Sequence, residues 1–204
     1  FEEDAEDSVT ALEEFSEHLT DPSHSRADLP FIGREDILDR IATVLARKTK
    51  NNALLVGGPG VGKSAIVSGL ADRIVNGKFP QLSGKKIYHI DLALVVSGTT
   101  FRGEFEARLK DIIEEASQDK NIILFIDELH TLIGTGNMSG SLDAANILKP
   151  ALARGEISCI GATTESEYKK HIAKDSALDR RFQSIHVEEP SVEEAISMLE
   201  GVSK

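Results

Sequence analysis

Leu54-Leu55-Val56-Gly57-Gly58-Pro59-Gly60-Val61-Gly62-Lys63-Ser64 runs from a short apolar stretch through a glycine-rich turn into a helical pattern. Residues Gly57 to Ser64 satisfy the spacing G-x-x-x-x-G-K-[ST], and they do so directly after a strand and directly before a helix, the context in which that spacing holds phosphate. Glycines at Gly57, Gly58, Gly60 and Gly62 let the backbone curl around Pro59 and Val61 so that its N–H groups point inward at phosphate oxygens. The helix that follows adds the positive end of its dipole. Lys63 is then placed to reach the β- and γ-phosphates, and the Ser64 hydroxyl to bind Mg²⁺.

Outward from this unit, apolar runs alternate with 3.6-spaced stretches. The runs are Ala53 to Val56, Ile87 to Ile90, Ile122 to Ile126, Ile157 to Ile160 and Ser184 to Val187, five strand candidates. Between them Ile66/Val67/Leu70/Ile74, Phe105/Leu109/Ile112/Ile113/Ala116 and Leu142/Ala145/Ile147/Leu148/Leu152 recur at helical spacing. The pattern predicts an α/β doubly wound layer fold, a P-loop domain with helices on both faces of a five-stranded parallel sheet. Two further amphipathic helices precede it, at Val9/Leu12/Phe15/Leu19 and Ile37/Leu38/Ile41/Val44/Leu45, joined by a surface linker from Thr20 to Pro30. After Pro190, Ser191-Val192-Glu193-Glu194 is a capping-box pattern opening a last helix.

Three polar clusters sit at strand ends. Ile122-Ile123-Leu124-Phe125-Ile126-Asp127-Glu128 ends in adjacent carboxylates, a Walker B pattern. Asp127 can hold the Mg²⁺ shell, and Glu128, one residue further, can polarise an attacking water as general base. The fourth run ends in Gly161-Ala162-Thr163-Thr164; a hydroxyl there either helps place that water or caps the helix Glu165 to Ile172. Arg180-Arg181 precede the fifth strand. They form either a solvated face or guanidinium groups that stabilise the charge of a neighbouring subunit's transferring phosphoryl group. Phe101, flanked by Gly98-Thr99-Thr100 and Arg102-Gly103, lies in a polar stretch; it is either an exposed aromatic grip or tucks back onto the helix beginning near Gly103.

Composition narrows the classes. With 23 basic against 34 acidic residues among 204, the net charge of −11 argues against a nucleic-acid reader; the densest basic run is only Arg47-Lys48-Thr49-Lys50. No apolar run reaches membrane-spanning length, and the acidic start is unlike a signal or transit peptide. One cysteine, Cys159, excludes a disulfide framework and favours a reducing compartment; it lies inside an apolar strand and reads as core. The six histidines lack metal-ligand spacing. The chain begins without Met, which suggests a piece of something longer.

Taken together these motifs resemble the AAA+ ATPases, and more narrowly the large subdomain of the first ATPase domain of Clp unfoldases and disaggregases of the ClpC, ClpA and ClpB type. The resembling stretches are Phe31-Ile32-Gly33-Arg34-Glu35, Arg47 to Asn52, the phosphate loop, Phe101-Arg102-Gly103-Glu104-Phe105, Asp127 to Gly134, Asn146 to Pro150, Gly161 to Thr164 and Leu178 to Phe182. They cover roughly residues 12 to 199 in family order. The resemblance implies an ATP- and Mg²⁺-dependent homo-hexamer that threads protein substrates through a central pore, without nucleic acid or membrane. It implies organisation as an N-terminal helix and linker (1–30), a large ATPase subdomain (31–190) and the start of a helical region (191–204).

Residue by residue, it assigns Gly57 to Ser64 to the phosphates, Asp127 to Mg²⁺, Glu128 to water activation, Thr164 to the sensor position and Arg180 with Arg181 to fingers on a neighbour's ATP. Phe31, Ile32 and Gly33 match the segment beside the adenine. Phe101, Arg102 and Gly103 match the substrate-gripping pore loop, with Gly134 to Gly140 as a second. Gly58, Ser64, Thr100, Phe101 and Asp179 depart from the commoner family residues. Because the chain stops where the family's small helical subdomain begins, this stretch alone is expected to bind nucleotide weakly, stay mostly monomeric and turn ATP over slowly. Peptidase and adaptor contacts would lie in other domains, and the compartment would be the cytoplasm or the matrix or stroma of an organelle of bacterial ancestry. The competing readings are a nucleotide-dependent assembly module in which turnover matters little, and a loader acting on nucleic acid.

Overall fold

Alternate residues of the apolar runs go to opposite sides of one sheet, which is why these runs are strands covered on both faces. In β2 (Asn52–Val56), Leu54 and Val56 join one core while Ala53 and Leu55 join the other. In β4 (Ile122–Ile126), Leu124 and Ile126 divide from Ile123 and Phe125 in the same way. The computed structural model describes residues 9–24, 33–99, 102–133 and 141–202. On one face α2 (Glu35–Leu45) contributes Leu38 and Ile41, and α3 (Lys63–Val75) contributes Ile66 and Leu70. On the other, α5 (Arg102–Gln118) contributes Leu109 and Ile112, and α7 (Ser141–Arg154) contributes Leu148 and Leu152. Each fully buried aliphatic of this kind contributes about 1.5–3 kcal/mol.

The five predicted strands are all present and mutually parallel: β2, β3 (Lys86–Ile90), β4, β5 (Ser158–Thr163) and β6 (Phe182–His186). The order is β1-β3-β4-β5-β2-β6, so β5 lies between β4 and β2. The sixth strand is an addition. The segment read as a helix through Leu19 forms only one helical turn, α1 (Ala11–Phe15), before β1 (Ser16–His18) runs antiparallel to β3. Thr10 and Glu13 close a reciprocal cap, and Glu115 receives the Ala11 and Leu12 N–H groups at 2.8 and 3.0 Å. Beyond Phe15, the open edge of β3 offers unpaired backbone groups, and pairing with them outweighs another helical turn. The His18 and Tyr88 rings stack there at 4.3 Å.

Short elements complete the path: 3₁₀ turns at Pro22–His24 and Pro80–Leu82, α4 (Leu92–Val96), α6 (His130–Ile133), α9 (Ser176–Asp179) and α10 (Val192–Val202). Of the linker read from Thr20 to Pro30, residues 25–30 lie outside the described residues. The helix expected from Glu165 to Ile172 is instead one α turn, α8 (Glu165–Glu167), and a π turn (Tyr168–Ile172), with Ala173 N–H bonding Tyr168 C=O at 2.9 Å. The wider turn keeps both Tyr168 and Ile172 on the core. Cys159 is fully enclosed, and burial pushes its thiol up to about 12, leaving an inert core residue. No helix among the described residues is long and apolar enough to cross a membrane.

Asp175 fixes the turn that carries the arginine pair. It caps α9, accepting from Ala177 and Leu178 N–H at 3.0 and 3.2 Å, and pairs with Lys149 at 2.8 Å. The Lys149 hydrogen bond, opposed by burial and helped by the N–H groups, holds this carboxyl below its ordinary 3.8. A depressed carboxylate stabilises the fold above the unfolded value and ceases to do so as pH falls through the folded one. Asp175→Ala is therefore expected to cost roughly 0.5–2 kcal/mol at neutral pH. Thermal melts should show that gap closing only below pH 3.8.

Candidate functional site

The phosphate loop leaves the end of β2 and is braced on both sides. Gly57 N–H donates to Thr163 C=O at 3.2 Å, and a side chain at Gly57 would bring its Cβ to 2.4 Å from the Val187 carbonyl oxygen. Only glycine fits there. Gly62, at φ +91°, turns the chain into α3 and offers no side-chain cap, and the first turn of α3 carries no acidic residue. The first-turn N–H groups are thereby kept for an external anion. Lys63 Nζ folds back over the loop and donates to Gly57 and Gly58 C=O at 2.9 and 2.8 Å. Its ammonium thus lies beside the backbone that would carry the phosphates.

The second half of the site comes from β4. Ser64 Oγ donates to Asp127 Oδ2 at 2.6 Å, and Asp127 Oδ1 accepts from Glu128 N–H at 2.8 Å. One hydroxyl and one carboxylate are oxygen donors suited to Mg²⁺, which keeps several waters and shares its shell with phosphates instead of filling a protein cage. No group of three His, Cys, Asp or Glu among the described residues could hold a metal by itself.

Glu128 is exposed and adopts φ +47°, a left-handed conformation that a non-glycine residue holds only when its surroundings insist. The surroundings do insist: Leu129 N–H donates to Ala162 C=O at 2.9 Å and Thr131 N–H to Glu128 C=O at 2.8 Å. The anchor of this turn is Leu129, packed so closely on Gly161 that a Cβ there would lie 2.6 Å from its Cδ2.

The two hydroxyls that end β5 have separate partners. Thr163 is buried, its Oγ1 2.9 Å from His130 Nδ1. Thr164 caps α8, accepting from Glu167 N–H at 3.3 Å, with Ser166 Oγ also at 3.3 Å, so the capping role is the one its geometry displays. His130 lacks metal-ligand spacing and so is not marked by the sequence motifs; its place two residues after Glu128 is the signal that could have found it.

Arg180 and Arg181 are not gathered into this site. Asn52 pairs with Phe182 and Val56 with His186, so the arginines precede β6 at the edge of the sheet where β2 begins, whereas the phosphate loop follows the end of β2. At about 3.3 Å per residue the two ends are roughly 15–20 Å apart. Arg180 is exposed; Arg181 is half-buried, its guanidinium against Gly155. Of the segment matched to the adenine, Gly33 is described, at φ +84°, while Phe31 and Ile32 lie outside the described residues. Phe101 and 134–140 also lie outside them; Arg102 and Gly103 open α5, with Gly103 exposed.

The chain matches the family model for "ATPase family associated with various cellular activities (AAA)" over residues 53–188. It is 56% identical over 195 residues to chaperone protein ClpC1, chloroplastic, of Oryza sativa subsp. japonica, covering 95% of this chain and 21% of that protein. It is 58% identical over 174 residues to the ATP-dependent Clp protease ATP-binding subunit ClpC of Staphylococcus saprophyticus, covering 85% of this chain and 21% of that one. Among solved structures it is similar to the S. cerevisiae Hsp104–ADP complex, with TM-score 0.83, 44% identity, and 94% of this chain and 27% of that chain covered. A second is the S. cerevisiae Hsp104–casein complex, with TM-score 0.80, 42% identity, and 94% and 33% covered. The chain spans about a fifth of the length of the curated relatives it matches.

Proposed function

This chain belongs to the AAA family of ATPases, and from that premise we propose that it is the ATP-binding and ATP-hydrolysing module of a hexameric Clp-type unfoldase that threads protein substrates through a central pore. The observation that carries the ATPase part is the 2.6 Å Ser64–Asp127 hydrogen bond, which joins the phosphate loop to the end of β4 with Glu128 beside it. In this reading the N–H groups of Gly57 to Ser64 and Lys63 hold the phosphates, and Ser64 and Asp127 share Mg²⁺. Glu128 orients and deprotonates water, while Thr164, at the end of the strand between the two, serves as sensor. Phe31, Ile32 and Gly33 line the base, and Phe101, Arg102 and Gly103 contact the moving polypeptide. The likeness to Hsp104 with ADP and with casein supports both the nucleotide and a protein substrate. The likeness to Clp protease subunits favours a peptidase partner reached through other parts of the protein.

The arginine pair fits this scheme only in trans. Both lie at the far end of their own sheet from their own phosphate loop, and in this reading each guanidinium serves a neighbour's. The core of the proposal is tested by Lys63→Ala in the full-length protein. Removing the ammonium is expected to weaken Mg²⁺-ATP binding at least about tenfold, read by calorimetry. Unchanged affinity would remove the phosphate-cradle reading.

A further inference from the structure

Arg34 is a charged residue folded inward with no role yet assigned. It is only 7% exposed. It stands at the N-cap of α2 in a left-handed conformation, φ +58°, and makes no side-chain cap there, so a strained backbone is kept for some other use of the side chain. Its Nη2 donates to Glu188 C=O at 2.8 Å across 154 residues of sequence, while Nη1 is buried without a hydrogen-bond partner among the described residues. A buried, unpaired donor on a cation is costly and rare, and its retention asks for an explanation.

The Glu188 carbonyl explains where the force goes. The preceding residue, Val187, donates its N–H to Val56 C=O at 2.8 Å, and its own carbonyl is the wall against which Gly57 lies. Holding Glu188 therefore holds that wall. On its other side Glu188 leads through Pro190 into α10, whose first turn is closed by Ser191 and Glu194: Ser191 N–H donates to Glu194 at 2.8 Å and Glu194 N–H to Ser191 Oγ at 3.2 Å. The Ser191 hydrogen bonds, and less strongly the charge of Arg34, keep the Glu194 carboxyl below its ordinary value, so the carboxylate lies in the guanidinium's field. One arginine thus touches the chain at the point where the phosphate loop's wall becomes the entry to the last helix.

We propose that Arg34 is a positioning residue that couples the phosphate loop to α10, holding with Nη2 the Val187–Glu188 wall at the point where the chain turns into the helix that Ser191 and Glu194 close. The inference rests on Gly57 to Ser64 being the nucleotide site. The coupling makes the affinity for nucleotide depend on a residue that touches no phosphate and on an exposed carboxylate one helix away.

The test is ADP titration of the full-length protein by calorimetry. Arg34→Ala is expected to raise the ADP Kd about tenfold with the number of sites per chain unchanged, since the loop persists but is no longer held. A merely structural role would lower the number of competent sites instead. Arg34→Lys, which keeps a donor for Glu188, should recover part of the loss, and Arg40→Ala on the exposed side of α2 should change nothing. Glu194→Gln should raise Kd about threefold in the wild-type background and have no further effect in Arg34→Ala. If Arg34→Ala does not fold, Arg34→Lys and Glu194→Gln carry the same comparison. An Arg34 variant that folds and binds ADP within twofold of wild type would overturn the proposal, as would a Glu194→Gln effect that persists undiminished without Arg34. A wild-type protein that does not bind ADP would instead overturn the nucleotide-site reading beneath it.

Discussion

Glu128→Gln is expected to lower ATP turnover about 10²- to 10⁴-fold, the usual share of a positioned general base, while ATP affinity stays within about twofold. The two expectations separate because the backbone and the carboxylate of this residue do different jobs. The backbone at φ +47° is held by the Leu129–Ala162 and Thr131–Glu128 hydrogen bonds, and the Glu128 N–H braces Asp127; glutamine, of the same shape, leaves all of these in place. The carboxylate is exposed, so exchanging it for an amide is expected to remove a base and leave the packing unchanged. Single-turnover hydrolysis beside an equilibrium ATP titration reads the two effects separately. Full turnover in the variant would favour the alternative of an assembly module that needs ATP bound but not hydrolysed. A parallel fall in affinity would mean that Glu128 helps to shape the phosphate cradle, not to activate water.

The fold was legible in the sequence where one physical rule acted alone. The runs Ala53 to Val56 and Ile122 to Ile126 are apolar throughout because both faces of those strands are covered, and no competing pattern obscured them. The N-terminal strand was hidden because Val9, Leu12, Phe15 and Leu19 fit a helical period; what decides the matter is the open edge of β3, a tertiary partner that local spacing cannot report. The π turn at Tyr168–Ile172 was hidden for a related reason, since keeping two residues on the core changes the helix without changing the composition.

The site divides in the same way. The residues proposed to meet the nucleotide, Gly57 to Ser64 and Asp127-Glu128, were found by motif because their spacing lies along one segment. The contacts that join distant segments were not: His130 to Thr163 and Gly161 under Leu129 depend on the register of β5 between β2 and β4, and Arg34 to Glu188 on β6 lying beside β2. Each of them supports a motif residue from behind. Sequence therefore shows the groups that meet the ligand more readily than those that hold them in place.

Arg181→Ala is expected to reduce ATP turnover by about 10³- to 10⁵-fold, the range for an arginine that stabilises a transferring phosphoryl group from across an interface. Two positions compete for that role. Arg181 is the stronger candidate because it is half-buried with its guanidinium against Gly155, so little side-chain freedom is lost when it engages a phosphate, whereas Arg180 is exposed. The register of β6 on β2 puts both roughly 15–20 Å from the phosphate loop of the same chain, which yields a sharper expectation than loss of rate alone. An Arg181→Ala subunit still carries an intact Glu128, and a Glu128→Gln subunit still carries an intact Arg181. Mixing the two inactive variants should restore turnover at every interface where an intact Glu128 faces an intact Arg181. Restored activity that peaks near equal proportions would place the arginine in trans. If each variant is inactive and every mixture remains so, Arg181 acts within its own chain, and the geometry would require β6 to shift relative to β2 when ATP is bound.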